Sequence, residues 1–407
     1  MSFQNTDREN ALCFSEADIL LPKQNMEKFA VIACDQFTSE PGYWEKVRDF
    51  TAGYNTAYEL ILPEIYLKDD NRDAIRRINS NMEKYLREGA FNEIRDSFVF
   101  VRRLQSDGII REGLIGKIDL REYSYLPGGS GKIRSTEKTV IERIPPRAEI
   151  RRGAPIELPH VMLLFDDESD GVMKYLEGRK EEFEKLYGFE LFGGSGSIEG
   201  YRLDASAKEQ VKKLLKETEQ KNDGLLFCVG DGNHSLAAAK SIYEQSKSEC
   251  DRYALVEIVN IHSPAINFEP IYRVLFDVDP NKTADDFIRY CEKKGGRYRH
   301  DFSCVYKGGK REFSVLSDFT LPVAALQDFL DSEMPKVKTD YIHGIDSTVN
   351  IATSAENRVG FIFDGMKKSE LFSAVIKDGA LPRKTFSMGH ALDKRFYLEG
   401  RKIGNRG

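Results

Sequence analysis

Between Phe227 and Ser241 the chain reads FCVGDGNHSLAAAKS. A short apolar run from Leu225 to Val229 stops at Gly230, four polar or flexible residues follow, and an alanine-rich helix former takes over at Ser235. The short run bounded by turn residues predicts a strand, and the segment 235–246 predicts its helix. A strand that enters a helix through a glycine turn leaves the first backbone N–H groups of the helix without partners. Those donors and the helix dipole favour an anion, above all a phosphate. Gly230 and Gly232 are expected to allow positive φ and close backbone approach. Asn233 and His234 add donors on the same rim. Asp231 would repel a phosphate unless a cation intervenes, so it is expected either to hold Mg²⁺ or to accept a proton from a hydroxyl nucleophile. This combination suits phosphoryl transfer, in which positioning and charge neutralisation dominate. The same letters also make an ordinary turn in which Ser235 or Asn233 caps the helix.

The rest of the chain can support such a site. Its 407 residues suggest two or three domains, and with 41% hydrophobic and 31% charged residues it can bury a core. The formal net charge of −6 argues against a general nucleic-acid binder. No run of about 18 apolar residues is present, and the polar start MSFQNTDREN predicts no signal peptide. The six cysteines never fall at CxxC spacing, which points to reduced thiols in the cytoplasm rather than to a zinc ribbon or redox pair.

Short apolar runs at 19–21 and 29–34 read as strands, and 41–50 and 72–87 as helices. The segment 97–121 reads as a hairpin turning on Asp107-Gly108, 156–165 as one buried strand, and 171–187 as one charged amphipathic helix. The glycine-rich stretch 191–204 lacks the GK[ST] ending of a phosphate loop and reads as a loop or hairpin turn. A helix at 206–220 and a strand at 252–261 bracket the opening motif. From about 280, helices at 283–293, 322–333, 347–355 and 367–377 alternate with strands near 297–306, 311–317 and 359–364. The segment 378–403 is basic and loop-like. The organisation predicted is a main α+β domain over 1–275, a smaller α/β domain over 276–380, and a basic tail over 381–407 that returns to the main domain.

Other candidates are scattered. Glu137, Thr139 and Arg143 form a charged loop that suits either solvent or a phosphate. Asp35 ends a strand, where open α/β sheets place ligands. Arg273 sits among apolar residues and needs an internal partner or a ligand phosphate. Arg383, Lys384, Lys394 and Arg395 offer a clamp for a polyphosphate. His160, His262, His300, His343 and His390 form no metal-binding pattern.

These motifs, taken in order, resemble the widespread bacterial and archaeal domain-of-unknown-function family numbered one thousand and fifteen. That family shows a strand followed by Ala-Asp-Gly-His-His-Arg and an alanine-containing helix, matched by Gly230-Asp-Gly-Asn-His-Ser235. Its Gly-Leu-Val-Gly hairpin strand is matched by Glu112-Gly-Leu-Ile-Gly116, its His-Glu-x-Thr by Thr136-Glu-Lys-Thr139, its Pro-Thr-His-Arg by Pro270-Ile-Tyr-Arg273, and its C-terminal Pro-x-Lys motif by Pro382-Arg-Lys-Thr-Phe386. The Asp-Gly-x-His turn is also similar to that of the ParB/sulfiredoxin-like fold, which includes free-serine kinases. The resemblance implies an α+β fold with a mixed-sheet core, large insertions and a second, smaller α/β domain.

It further implies a nucleotide, ATP or ADP, with Mg²⁺, and a small-molecule substrate, most simply free serine. Asp231, His234 and Glu137 would be catalytic, with Asp231 also next to the metal. Gly230, Gly232, Asn233, Ser235, Thr139, Arg143, Arg273, Arg383 and Lys384 would bind phosphate. Where the family keeps His-His-Arg, this chain has Asn233-His234-Ser235, so Arg273, Arg383 and Lys384 are the cations expected to compensate. The rival expectation is a nucleotide-binding regulator or scaffold without transfer chemistry. No cysteine lies in the turn, so sulfiredoxin chemistry is not expected, and the oligomeric state is open.

Overall fold

The computed structural model describes residues 11–126, 129–139 and 144–403. Its main body is a ten-stranded mixed sheet. Across it the strands run Glu184–Glu190, Ser197–Arg202, Val99–Leu104, Ile110–Asp119, Tyr253–Asn260, Met162–Phe165, Phe227–Asp231, Ile133–Ser135 and Tyr123–Ser124, with Phe14–Ser15 added to Ile110–Asp119. Tyr253–Asn260 is buried along nearly its whole length, as its continuous apolar run requires of a central strand. Met162–Phe165 lies parallel to it and antiparallel to Phe227–Asp231, so the strand of the opening motif sits inside the sheet. The helices Ala205–Lys221 and Asn233–Ser246 flank that strand in sequence. They bury Val211 and Leu215, and Leu236 and Ala239, at helical spacing in one core with Leu163 and Val229.

The hairpin Val99–Leu104/Ile110–Asp119 turns where Asp107-Gly108 predicts, with Gly108 at φ +84° and the Asp107 carboxylate accepting the Ile109 N–H at 2.9 Å. Its motif glycine Gly116 is a packing requirement, because a Cβ there would lie 2.5 Å from the Phe14 ring.

A second, six-stranded sheet has the order Gly309–Ser317, Tyr298–Tyr306, Arg358–Phe363, Phe268–Phe276, Thr339–His343, with Phe386–Met388 paired to the start of Phe268–Phe276. Helices Pro280–Lys294 and Pro322–Glu333 cover it through Phe287 and Phe329, which meet Phe302 and Phe361. The strand Phe268–Phe276, which the sequence reading places at the end of the first domain, therefore pairs in the second sheet.

Several features differ from the sequence reading. The helix expected over 171–187 stops at Gly178, and Glu184–Glu190 is a strand whose Tyr187 is buried against the sheet. The single strand expected over 156–165 is broken at Leu158-Pro159 into Ile156–Glu157 and Met162–Phe165; proline cannot donate to a ladder. Thr339–His343 is a strand that no apolar alternation announced. The segment 378–403 is not all loop, since Phe396–Tyr397 pairs with Val31–Ile32, with Arg401–Lys402 pairing Ile156–Glu157 just beyond. Among the described residues no helix is long and apolar enough to cross a membrane.

Candidate functional site

The strand Phe227–Asp231 ends at Asp231, and Gly232 turns the chain at φ +80°, ψ +25° into the helix Asn233–Ser246. Neither Asn233 nor Ser235 caps that helix. The cap position is Gly232, which has no side chain to bond the first amides, and no side chain caps the turn. The helix thus begins without a side-chain cap, as an anion site at a helix start allows. Gly232 is required twice over, by its positive φ and because a Cβ would lie 3.0 Å from Val161 Cα. Gly230 differs from expectation: it lies in the strand and not at positive φ. Its missing Cβ makes room for Leu164, whose Cγ would be 2.9 Å away.

Asp231 is held from both sides. Its Oδ1 accepts the Gly232 N–H at 2.9 Å, and its Oδ2 meets Lys394 Nζ at 3.2 Å. The Asn233 amide is engaged within the fold. Its Oδ1 accepts from the Ser135 hydroxyl at 2.7 Å and its Nδ2 donates to Thr136 Oγ1 at 3.5 Å. Asn233 lines the cleft with its Oδ1 and one Nδ2 hydrogen engaged within the fold. Ser235 Oγ lies 3.4 Å from His160 Nε2, and His160 Nδ1 lies 2.7 Å from the Tyr397 hydroxyl. Asp35 Oδ2 stands 3.9 Å from the same His160 Nε2. Burial opposes ionisation of Asp35, but His160, a hydrogen bond from Gln36 and Lys394 together hold its carboxyl below the ordinary carboxylate range.

The opposite wall comes from the loops after the second sheet. Leu381 bonds back to the 136–138 segment, donating its N–H to Thr136 O at 2.7 Å and accepting the Lys138 N–H at 3.0 Å. Glu137 takes backbone N–H groups of Lys384 and Thr385; burial pushes its carboxyl up, and Lys384 only partly offsets that. Arg273 is not a phosphate clamp. It is buried in the second sheet, and its guanidinium donates to the carbonyls of Ile271 at 2.6 Å, Lys384 at 2.9 Å and Arg383 at 3.0 Å, with the Tyr341 ring centroid 4.6 Å away. Burial brings its pKa down to about 10. Its position expels it from the ligand set: it holds the loop that presents the exposed side chains of Arg383 and Lys384.

These elements enclose a polar cleft of about 690 Å³. Glu137, Gly230, Asp231, Gly232, Asn233, His234, Ser235, Arg383 and Lys384 all line it, so most of the residues expected from sequence converge. Thr139 does not line it. Its hydroxyl is buried without a hydrogen-bond partner among the described residues. Arg143 lies outside the described residues. Asp35, His343 and Lys394, weaker candidates in the sequence, also reach the cleft, together with His160, Glu64 and Arg147. The last three carry no motif. His160 hides behind a proline in an apolar run, and Arg147 follows a double proline that read only as the end of a charged loop.

No group of three or more His, Cys, Asp or Glu side chains placed to hold a metal occurs among the described residues. A Mg²⁺ held mainly by phosphate oxygens and water would meet one carboxylate at this turn, that of Asp231.

The family model described as "Protein of unknown function (DUF1015)" matches residues 17–338. No curated protein matches the chain. Among solved structures, a free serine kinase in complex with AMP is similar at 14% identity and a TM-score of 0.39, covering 70% of this chain and 91% of that one. A conserved hypothetical protein from Pyrococcus furiosus is similar at 12% identity and a TM-score of 0.36, over 70% of this chain and 94% of that one. SbnI from Staphylococcus aureus, truncated at its C-terminus, reaches 8% identity and a TM-score of 0.36, over 68% and 82%.

Proposed function

We propose that this chain, which belongs to the DUF1015 family, holds the phosphates of ATP or ADP at the Gly232–Ser235 turn and transfers a phosphoryl group to or from a small hydroxy-amino acid, most simply free serine. The observation that carries this reading is the uncapped helix N-terminus opening into a polar cleft whose facing rim carries Arg383 and Lys384. Backbone donors at Asn233, His234 and Ser235 suit phosphate oxygens, and the two exposed cations suit the charge of a polyphosphate.

In the forward direction the acceptor hydroxyl gives its proton to the Asp231 carboxylate. A new P–O bond forms to the acceptor oxygen, and the bond to the bridging oxygen of the donor breaks, leaving the electron pair on the departing nucleotide. Lys394 holds the Asp231 carboxylate aimed before that step. His234 contributes at the rim of the turn. Glu137 works through the loop it anchors. Mg²⁺, when bound beside Asp231, supplies neutralisation of phosphate charge.

The test is phosphorus NMR of the folded protein with Mg²⁺, serine and either ATP or ADP. A phosphoserine signal is expected, and Asp231→Asn should remove it while the protein still binds nucleotide. The second reading, a nucleotide-binding regulator, is favoured by the Asn233 amide and Asp231 carboxylate both being engaged within the fold. Saturable nucleotide binding with no turnover of any small hydroxy acceptor would select it.

A further inference from the structure

Behind the cleft lies a second chamber of about 160 Å³. The two spaces share Glu64, Arg147, His160 and Ser235 as walls. Beyond that partition the lining is mainly hydrocarbon, with Leu60, Leu62, Met82, Leu236, Ala239 and Ala254 all buried beside Cys34, Arg151, Glu157 and Tyr397. Part of the space exists because the helix Asn233–Ser246 turns alanine inward where a longer side chain would fill it.

The polar side chains around the chamber are bonded to one another. Arg147 pairs with Glu64, Arg151 and Arg401 pair with Glu157, and the Tyr397 hydroxyl takes His160 Nδ1. A purine edge entering the chamber would have to break such a pair to find its own hydrogen bonds, whereas a hydrocarbon needs only the apolar wall. A cavity of about 150 Å³ with an aliphatic lining stays dry and takes up benzene.

We propose that this chamber is a subsite for an apolar substituent of about six carbon atoms, carried by the phosphoryl acceptor and entering from the cleft past Ser235 and His160. Assigning the substituent to the acceptor rests on the transfer reading above; the affinity of the chamber for hydrocarbon does not. An acceptor whose hydroxyl meets a phosphate at Gly232–Ser235 and whose side chain continues past Ser235 is a β-hydroxy amino acid with a bulky β-substituent, such as phenylserine. The bonds made and broken are those of the transfer to serine.

The test uses the full chain with benzene, naphthalene and adenine in thermal-shift and NMR binding measurements, then serine and phenylserine as acceptors. Benzene is expected to raise the melting temperature and adenine is not. Ala239→Leu should abolish the benzene effect, and Met82→Ala should move the preference from benzene to naphthalene. Phenylserine should be phosphorylated with a kcat/KM at least about tenfold above serine. No response to benzene, or adenine binding that Ala239→Leu blocks, overturns the subsite. Benzene binding with serine as the better acceptor overturns the assignment to the acceptor. Benzene binding that Ala239→Leu blocks, with neither amino acid phosphorylated, upholds the chamber and overturns the transfer reading. If Ala239→Leu fails to fold, the Met82→Ala shift decides.

Discussion

Lys394 Nζ stands 3.2 Å from Asp231 Oδ2 across 163 residues of sequence, with both side chains largely buried. The pair joins the C-terminal tail to the turn that begins the helix Asn233–Ser246. The tail is fixed on either side of it: Arg103 and Arg111 donate to the carbonyls of Leu392 and Asp393, and Arg395 is bonded to Glu257 and Glu399. Lys394 thus arrives at the cleft on a segment with little freedom, and the carboxylate of a phosphate site gains a cation that does not depend on a ligand.

Replacing that cation tests its role. Lys394→Met should weaken ATP or ADP binding by about tenfold, the equivalent of one lost charge-assisted contact of roughly 1.4 kcal/mol. Lys394→Arg should retain most of the affinity. Titration calorimetry at fixed ionic strength reads both.

Arg273 acts through the loop it holds. Arg273→Met leaves the carbonyls of Ile271, Arg383 and Lys384 without their buried donor. Stability should fall by about 2–4 kcal/mol, read from the urea midpoint. Nucleotide affinity should fall as well, although no atom of Arg273 is needed to touch the ligand.

Lys384 occupies the left-handed region at φ +58°, a conformation that costs a residue with a Cβ about 1–2 kcal/mol. Arg273 bonds its carbonyl and Glu137 its N–H, and the two keep it there. Lys384→Gly should raise stability by about 1 kcal/mol and weaken nucleotide binding about fivefold. A stabilised variant with unchanged affinity would place Lys384 outside the ligand set.

The opening turn, the helices 41–51 and 72–87 and the Asp107-Gly108 hairpin were legible in local pattern, because each is set by spacing or turn chemistry between near neighbours in the chain. Arg273 illustrates where that legibility ends. The sequence shows a charge among apolar neighbours, and only the pairing of Phe268–Phe276 with Phe386–Met388 reveals that its partners are carbonyls 110 and 111 residues away. Asn233 likewise reads as a free turn amide until the strand pairing of 133–135 with 227–229 brings beside it Ser135, whose hydroxyl donates to its Oδ1. His160 and Arg147 belong to the site by tertiary placement alone.

Glu112 shows the same dependence on distant partners and yields a pH prediction. Burial and then the neighbouring Glu177 carboxylate push its pKa from the ordinary 4.5 up to about 7. As pH rises the unfolded chain releases this proton first, so the stability tied to the protonated form is full below about 4.5 and is lost as pH passes through about 7. Glu112→Gln should therefore flatten the decline in stability across that interval. Denaturant midpoints measured from pH 4.5 to 8 check it, and an unchanged slope would assign the decline to other groups.

The central claim is that phosphate meets the start of the helix Asn233–Ser246. Backbone amide shifts followed by NMR during titration with ADP and Mg²⁺ test it most directly. The account predicts saturable shifts at Asn233, His234 and Ser235, accompanied by shifts at Arg383 and Lys384. Saturable binding that leaves those three amides unmoved would contradict it.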